Sequence, residues 1–166
     1  MTLYRLSIPY AFIADHARMT WRDVLFGIEH ELIAAEAASE LAAHRLVTDD
    51  DPSPALIELA ALAKGESPAA LVSALASAES PGDPEQTKRK WLYLVLSWLL
   101  HHRNELPDAL AAVEEVYADF GYPERVARFV RYMPMIGPDL GSRALNEQRL
   151  IDEWQRYVAE EAREYR

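Results

Sequence analysis

Glu36, Glu40 and His44 are each four residues apart, so on a helix they would share one face. A Glu-x-x-x-His pair can ligate a metal ion, but on an Ala-rich amphipathic segment it is more often a solvated edge. His101 and His102 are adjacent and would point about 100° apart on a helix, which makes sharing one ion difficult. Glu29-His30-Glu31 lacks the second His of a zinc-protease motif. The chain has no Cys, which excludes thiol nucleophiles, thiolate metal sites and disulfides. There is no Gly-x-Ser-x-Gly elbow, and the six Gly are isolated rather than gathered into a phosphate-cradling loop. Carboxylate pairs are too numerous in so acidic a chain for one to be singled out. The best polar constellation for an enzyme or a small-ligand-binding domain is Asp15, His16, Glu29 and His30, from the first two helices. No catalytic, cofactor-binding or metal-binding residue is assigned on this basis.

The elements that must position these side chains read as helices throughout. Ala, Leu and Glu dominate, and no alternating β-branched run is flanked by hairpin turns. A short helix is expected over Tyr10 to Arg18. Thr20-Trp21-Arg22-Asp23 reads as a capping box opening a second helix, with Trp21, Val24, Leu25 and Ile28 inward. A third is expected from Ala34 to Arg45, with Ala35, Ala38, Leu41 and Ala42 on its narrow face. Ser53-Pro54-Ala55 and Ser67-Pro68-Ala69 repeat one start signal, a Ser cap followed by Pro in the first turn. The helices they open should end near Lys64-Gly65 and near Ser77. Asp83-Pro84-Glu85-Gln86 starts another, which leads into Trp91 to Leu100, apolar on every side and therefore the expected buried helix. Leu106, Leu110, Val113, Tyr117 and Phe120 form one amphipathic stripe that ends at Gly121. A helix from Pro123 to Arg131 follows, then the irregular apolar loop Tyr132 to Leu140, broken by two Pro and a Gly. The last helix runs from Ser142, acting as its cap, to Arg163 and inserts Leu150, Ile151, Trp154, Tyr157 and Val158. The expected fold is all-α, with eight or nine helices in an orthogonal bundle or a short stack of helical pairs.

Charge narrows the possible partners. Lys and Arg number 17 against 27 Asp and Glu, a net charge of −10, which argues against nucleic acid and anionic membranes as partners. A chain of 166 residues suits one domain spanning 1–166, able to bury about 70% of its unfolded surface. The N-terminus lacks a signal-peptide pattern and the longest apolar run covers half a bilayer core, so a cytoplasmic location is expected. From Asn104 to Glu124 there are six acids and no Lys or Arg. Asp108, Glu115 and Asp119, at i, i+7 and i+11, would share one face. Such a face is commonly just solvated, but left unneutralised it can steer a cationic partner. Arg125, Arg128 and Arg131 could contact nucleic acid, yet beside an acidic segment intramolecular ion pairs are the better reading. Arg131, Tyr132, Met133 and Met135 are residue types that anchor interfaces. The loop that carries them could equally fold over the core.

Several stretches also resemble one uncharacterised bacterial family, domain-of-unknown-function family twenty-two forty-seven. The likeness is carried by Thr20-Trp21-Arg22-Asp23 with Gly27-Ile28-Glu29 and Leu32-Ile33, and by Lys90-Trp91-Leu92-Tyr93-Leu94. Tyr117-Ala118-Asp119-Phe120-Gly121-Tyr122-Pro123 and Phe129-Val130-Arg131-Tyr132-Met133-Pro134 complete it. The resemblance implies no catalytic residues. It does imply a setting like that of the small immunity proteins encoded beside bacterial polymorphic toxins.

The expected function is therefore a small acidic protein-binding protein of immunity type, which occludes a cationic toxin. Asp108, Glu115 and Asp119 would steer that partner and its basic surface, while Arg131, Tyr132 and Met133 would provide contacts. The alternatives are the enzyme or ligand-binding domain already described, and a scaffold or adaptor subunit. A scaffold would show a large apolar patch and a stable oligomer.

Overall fold

The computed structural model describes residues 6–166. Among these the chain forms nine α-helices and no strand, only one isolated bridge, so the fold is all-α. The helices are α1 (Tyr10–His16), α2 (Trp21–Glu29), α3 (Ala37–Thr48), α4 (Pro54–Ala60), α5 (Ala69–Ala78), α6 (Pro84–His101), α7 (Ala109–Asp119), α8 (Glu124–Ala127) and α9 (Arg143–Tyr165). Among the described residues no helix is long and apolar enough to cross a membrane. The chain divides into two units at a point within α6, after Trp91.

In the N-terminal unit the capping box at α2 forms in both directions. Thr20 Oγ1 accepts the Asp23 N–H at 3.1 Å, and Asp23 Oδ2 accepts the Thr20 N–H at 2.9 Å. The Glu79 carboxylate accepts the N–H groups of Trp21 and Arg22 at 2.9 and 3.0 Å. Four donors at the start of α2, from Thr20 to Asp23, are thus satisfied by side chains rather than by water. The buried side of α2 differs from the expected one: Trp21, Asp23, Val24 and Gly27 are buried, while Leu25 and Ile28 are half-buried. Trp91 is the reason. Its ring lies so close to Gly27 that a Cβ there would clash with Trp91 Cζ2.

Helix α3 begins three residues later than its composition suggests, because the preceding backbone is already committed. Ile8 N–H donates to Leu32 O at 3.0 Å and Ala34 N–H to Ile8 O at 2.9 Å, forming a parallel bridge between Ile8 and Ile33. Ala35 therefore lies outside the helix, and the buried face is Ala37, Ala38 and Ala42. Ser53 caps α4 as expected, but α4 ends at Ala60 rather than near Gly65. The second start signal behaves differently. Ala69 is the first helical residue, with Pro68 at the cap position and Ser67 Oγ accepting the Ala69 N–H at 3.4 Å. Helix α2 packs on α5, α3 on α1 and α4, and α4 on α5.

In the C-terminal unit, residues 92–97 of α6 are buried on all sides, as the apolar run interrupted only by Ser97 requires. Trp154 of α9 donates its indole N–H to Leu96 O at 3.1 Å, and its ring lies parallel to that of Phe129. The stripe on α7 is buried at Leu110, Val113, Tyr117 and Phe120. Gly121, at φ 78°, closes that helix: Tyr122 N–H reaches Tyr117 O at 2.8 Å and Gly121 N–H reaches Ala118 O at 3.1 Å. Helix α8 covers only Glu124–Ala127, not the stretch to Arg131. Phe129 and Val130 are instead buried in consecutive turns, which brings the chain into the loop that follows.

Candidate interaction surface

The loop between α8 and α9 is irregular in backbone but fixed at both ends. At its start, the Arg131 guanidinium forms a two-point bond with Asp108, with Nη1 to Oδ1 at 3.2 Å and Nη2 to Oδ2 at 3.1 Å. Its Nε meets Glu114 Oε1 at 3.1 Å and Nη1 meets Glu147 Oε1 at 3.5 Å. One side chain thus joins the beginning of α7 to the first turns of α9. At the loop's far end, Asn146 donates to Asp139 Oδ1 at 2.9 Å and accepts the Leu140 N–H at 3.0 Å, while Arg149 Nη1 reaches Pro138 O at 2.6 Å. The Asp139 carboxyl is held below its ordinary value by the Asn146 amide and then by the Gly141 N–H.

Between these clamps the apolar side chains face outward. Tyr132 is 58% exposed, Met135 51% and Ile136 66%, and Leu140 and Leu145 are exposed as well. Segment 132–140 thus exposes most of its apolar side chains, while Met133 stays half-buried. Met133 lines a groove of about 900 Å³ between the loop and α9. Met135, Ile136 and Leu150 line the same groove, with Arg143, Arg149 and Arg156 around it. A second aromatic feature flanks the loop. Tyr117 carries the exposed Tyr122 edge-on at 5.3 Å and Tyr132 tilted at 6.1 Å. Tyr122 sits at φ 60°, a left-handed conformation that costs a non-glycine residue about 1–2 kcal/mol.

The acidic residues expected to steer a partner divide into two kinds. Asp108 caps α7, accepting the Ala111 N–H at 3.1 Å, and its charge is met by Arg131. The Arg131 bond first, and the Ala111 N–H second, hold its carboxyl below the ordinary value. Glu115 is exposed and Asp119 half-buried on α7, and neither makes an ion pair among the described residues. Arg125, Arg128 and Arg131 are all paired within the chain: Arg125 with the buried Glu161 at 2.9 Å, Arg128 with Glu160 at 3.1 Å, and Arg131 as above. Arg143 and Arg156 meet Glu147 and Glu153 on their own helix. Arg143 and Arg156 beside the groove are thus paired, while Arg149 gives its hydrogen bond to a backbone carbonyl, that of Pro138.

Among the described residues Asp15, His16, Glu29 and His30 form no metal-ligand group. His16 Nδ1 lies 2.7 Å from Phe12 O and His30 Nδ1 lies 2.9 Å from Phe26 O, each within its own helix. Neither histidine, nor Asp15, nor Glu29 lines the groove. Glu36 lies outside α3 as its cap residue, and His44 stacks on Tyr10 at 5.1 Å. Among the described residues no three His, Asp or Glu side chains group as metal ligands. Sequence reasoning missed Ile136, Leu145 and the α9 arginines. The exposed Leu145 on an otherwise polar first turn is the one signal that could have extended the surface into α9.

A family model described as an uncharacterised protein conserved in bacteria (DUF2247) matches residues 10–162, which takes in all the stretches that carried the resemblance. No curated protein and no solved structure matches the chain.

Proposed function

Because the chain belongs to the DUF2247 family of uncharacterised bacterial proteins, we propose its function from its own surface: it binds a protein partner through segment 132–145. The observation that carries this reading is the outward display of Tyr132, Met135 and Ile136 on a loop clamped at both ends. A fixed loop loses little conformational freedom on binding, so its apolar contacts convert more fully into affinity. Aromatic and Met side chains at such a position are typical anchors. Charge complementarity points to a partner with a basic surface, since the chain carries −10 and Glu115 and Asp119 on α7 make no ion pair among the described residues. With Arg125, Arg128 and Arg131 already paired internally, nucleic acid is the weaker choice.

The finer reading is an immunity-type protein in the cytoplasm that blocks a cationic toxin domain by covering its active surface. Co-expression with the products of neighbouring genes tests it. The expected result is a stable heteromeric complex and rescue of growth when the neighbour is toxic. A chain that forms no complex with any neighbour overturns the reading. A stable homo-oligomer through segment 132–145 replaces it with the scaffold alternative.

A further inference from the structure

The N-terminal unit holds a second concavity, of about 350 Å³, whose chemistry differs from that of the groove. Two helix faces form its walls. Tyr10, Ile13, Ala14 and Ala17 follow one another at i, i+3, i+4 and i+7 along α1 and its cap, and Ala37, Leu41 and Arg45 at i, i+4 and i+8 along α3. The small side chains at 14, 17 and 37 keep the walls apart. Trp91 closes the cleft from behind, fully buried and with its indole N–H given to Asp23 O at 2.7 Å, so the accessible apolar lining is that of Tyr10 and Leu41.

The cleft's charged lining is one-sided. It contains Arg18 and Arg45 and no Asp or Glu, in a chain whose acids outnumber its bases by ten. Arg45 is held in place by a hydrogen bond to Met19 O and lies over the Trp21 ring, 5.4 Å from its centroid. Those contacts leave further guanidinium donors for an anion. Arg18 is exposed, and it is its backbone carbonyl, not its guanidinium, that Lys90 Nζ contacts at 2.8 Å. An apolar, aromatic-walled cleft of this size with a few convergent polar groups is the usual form of a small-molecule site.

We propose that this cleft binds a small aliphatic monocarboxylate, the apolar chain lying against Tyr10 and Leu41 and the carboxylate meeting Arg18 and Arg45. The proposal is independent of the docking role of segment 132–145. Octanoate, with octanol as its uncharged counterpart, is the probe, titrated calorimetrically into the full chain. Octanoate should bind saturably at one per chain, and octanol at least about tenfold more weakly, because a charge-assisted guanidinium–carboxylate bond is lost. Arg18→Gln should weaken octanoate about tenfold and leave octanol unchanged. Ala14→Trp, at an exposed wall position, should abolish binding of both without lowering the thermal midpoint. Equal affinity for octanoate and octanol, no saturable binding up to millimolar octanoate, or full retention of affinity in Arg18→Gln would each overturn the proposal.

Discussion

The Asp23 carboxylate accepts from Thr20 N–H at 2.9 Å, Thr87 Oγ1 at 2.8 Å and Lys90 Nζ at 2.5 Å, while Asp23 O accepts the Trp91 indole. Burial pushes its pKa up, but the Lys90 bond, the Thr20 N–H, the Lys90 charge and the Thr87 hydroxyl together bring it below the ordinary 3.8. The unfolded chain therefore takes up a proton at higher pH than the folded one does. The stability Asp23 contributes is present above about 3.8 and lost as pH falls through its lower folded value. Asp23→Asn should cost about 3 kcal/mol at neutral pH, the low end for breaking a buried ion pair because Lys90 keeps some solvent contact. Urea unfolding as a function of pH checks both statements: the variant should be less stable at pH 7 and show a flatter fall below pH 4. Gly27→Ala poses a contest of two effects. Helix propensity favours Ala by about 1 kcal/mol, whereas forcing a Cβ against a fixed indole costs about 1–3 kcal/mol. Trp91 is fully buried and hydrogen-bonded, so it cannot move aside, and the clash should win with a lowered urea midpoint. The capping half of Asp23 is legible in the spacing Thr20-x-x-Asp23. Its partners Thr87 and Lys90 lie 64 and 67 residues away, and no local pattern announces a pairing at that distance.

At the scale of elements, helix starts were readable where a side chain makes them and less so where another segment intervenes. Thr20, Ser53 and Ser142 each accept a backbone N–H at the expected cap. Helix α3 starts later than its sequence predicts because Ile8 takes the hydrogen bonds around Ile33, and α8 is shorter because Phe129 and Val130 satisfy the apolar pattern as turns. Similarly, the loop could be recognised from its two Pro and a Gly, but not the clamps that fix it, since Asn146 and Arg149 carry no signature of that role. Those clamps make a prediction about dynamics. Asn146→Ala removes both the bond to Asp139 and the one to the Leu140 N–H. Amide exchange in residues 135–141 should speed up by about tenfold or more, the effect of losing roughly 1–2 kcal/mol of local protection, while exchange in α6 stays unchanged. Equal acceleration throughout would mean that Asn146 supports the whole unit, not the loop.

At the scale of the whole molecule, the −10 net charge is a property whose placement decides its use. Asp108 spends its charge on Arg131, Asp23 on Lys90 and Glu161 on Arg125, so the structural role of some acids was hidden in the bulk count. Glu115 and Asp119 remain as charges that can act at a distance. Replacing both with Lys should slow association with the partner about tenfold at low salt, with a smaller difference at high salt and little change in dissociation. The all-α class was legible because it depends on composition and periodicity distributed over the entire chain. The interaction surface was legible only in part, because exposure of an apolar loop depends on where the rest of the unit ends.

The central claim, that segment 132–145 is a protein-docking surface, is tested most directly by titrating the purified chain into its complex-forming neighbour and repeating the titration with Ile136→Asp. Ile136 is two-thirds exposed and makes none of the clamp hydrogen bonds, so the variant should fold with an unchanged thermal midpoint. Affinity should fall by about 30-fold or more, the loss expected for a hot-spot side chain of at least about 2 kcal/mol. Wild-type affinity in a folded Ile136→Asp variant would contradict the account.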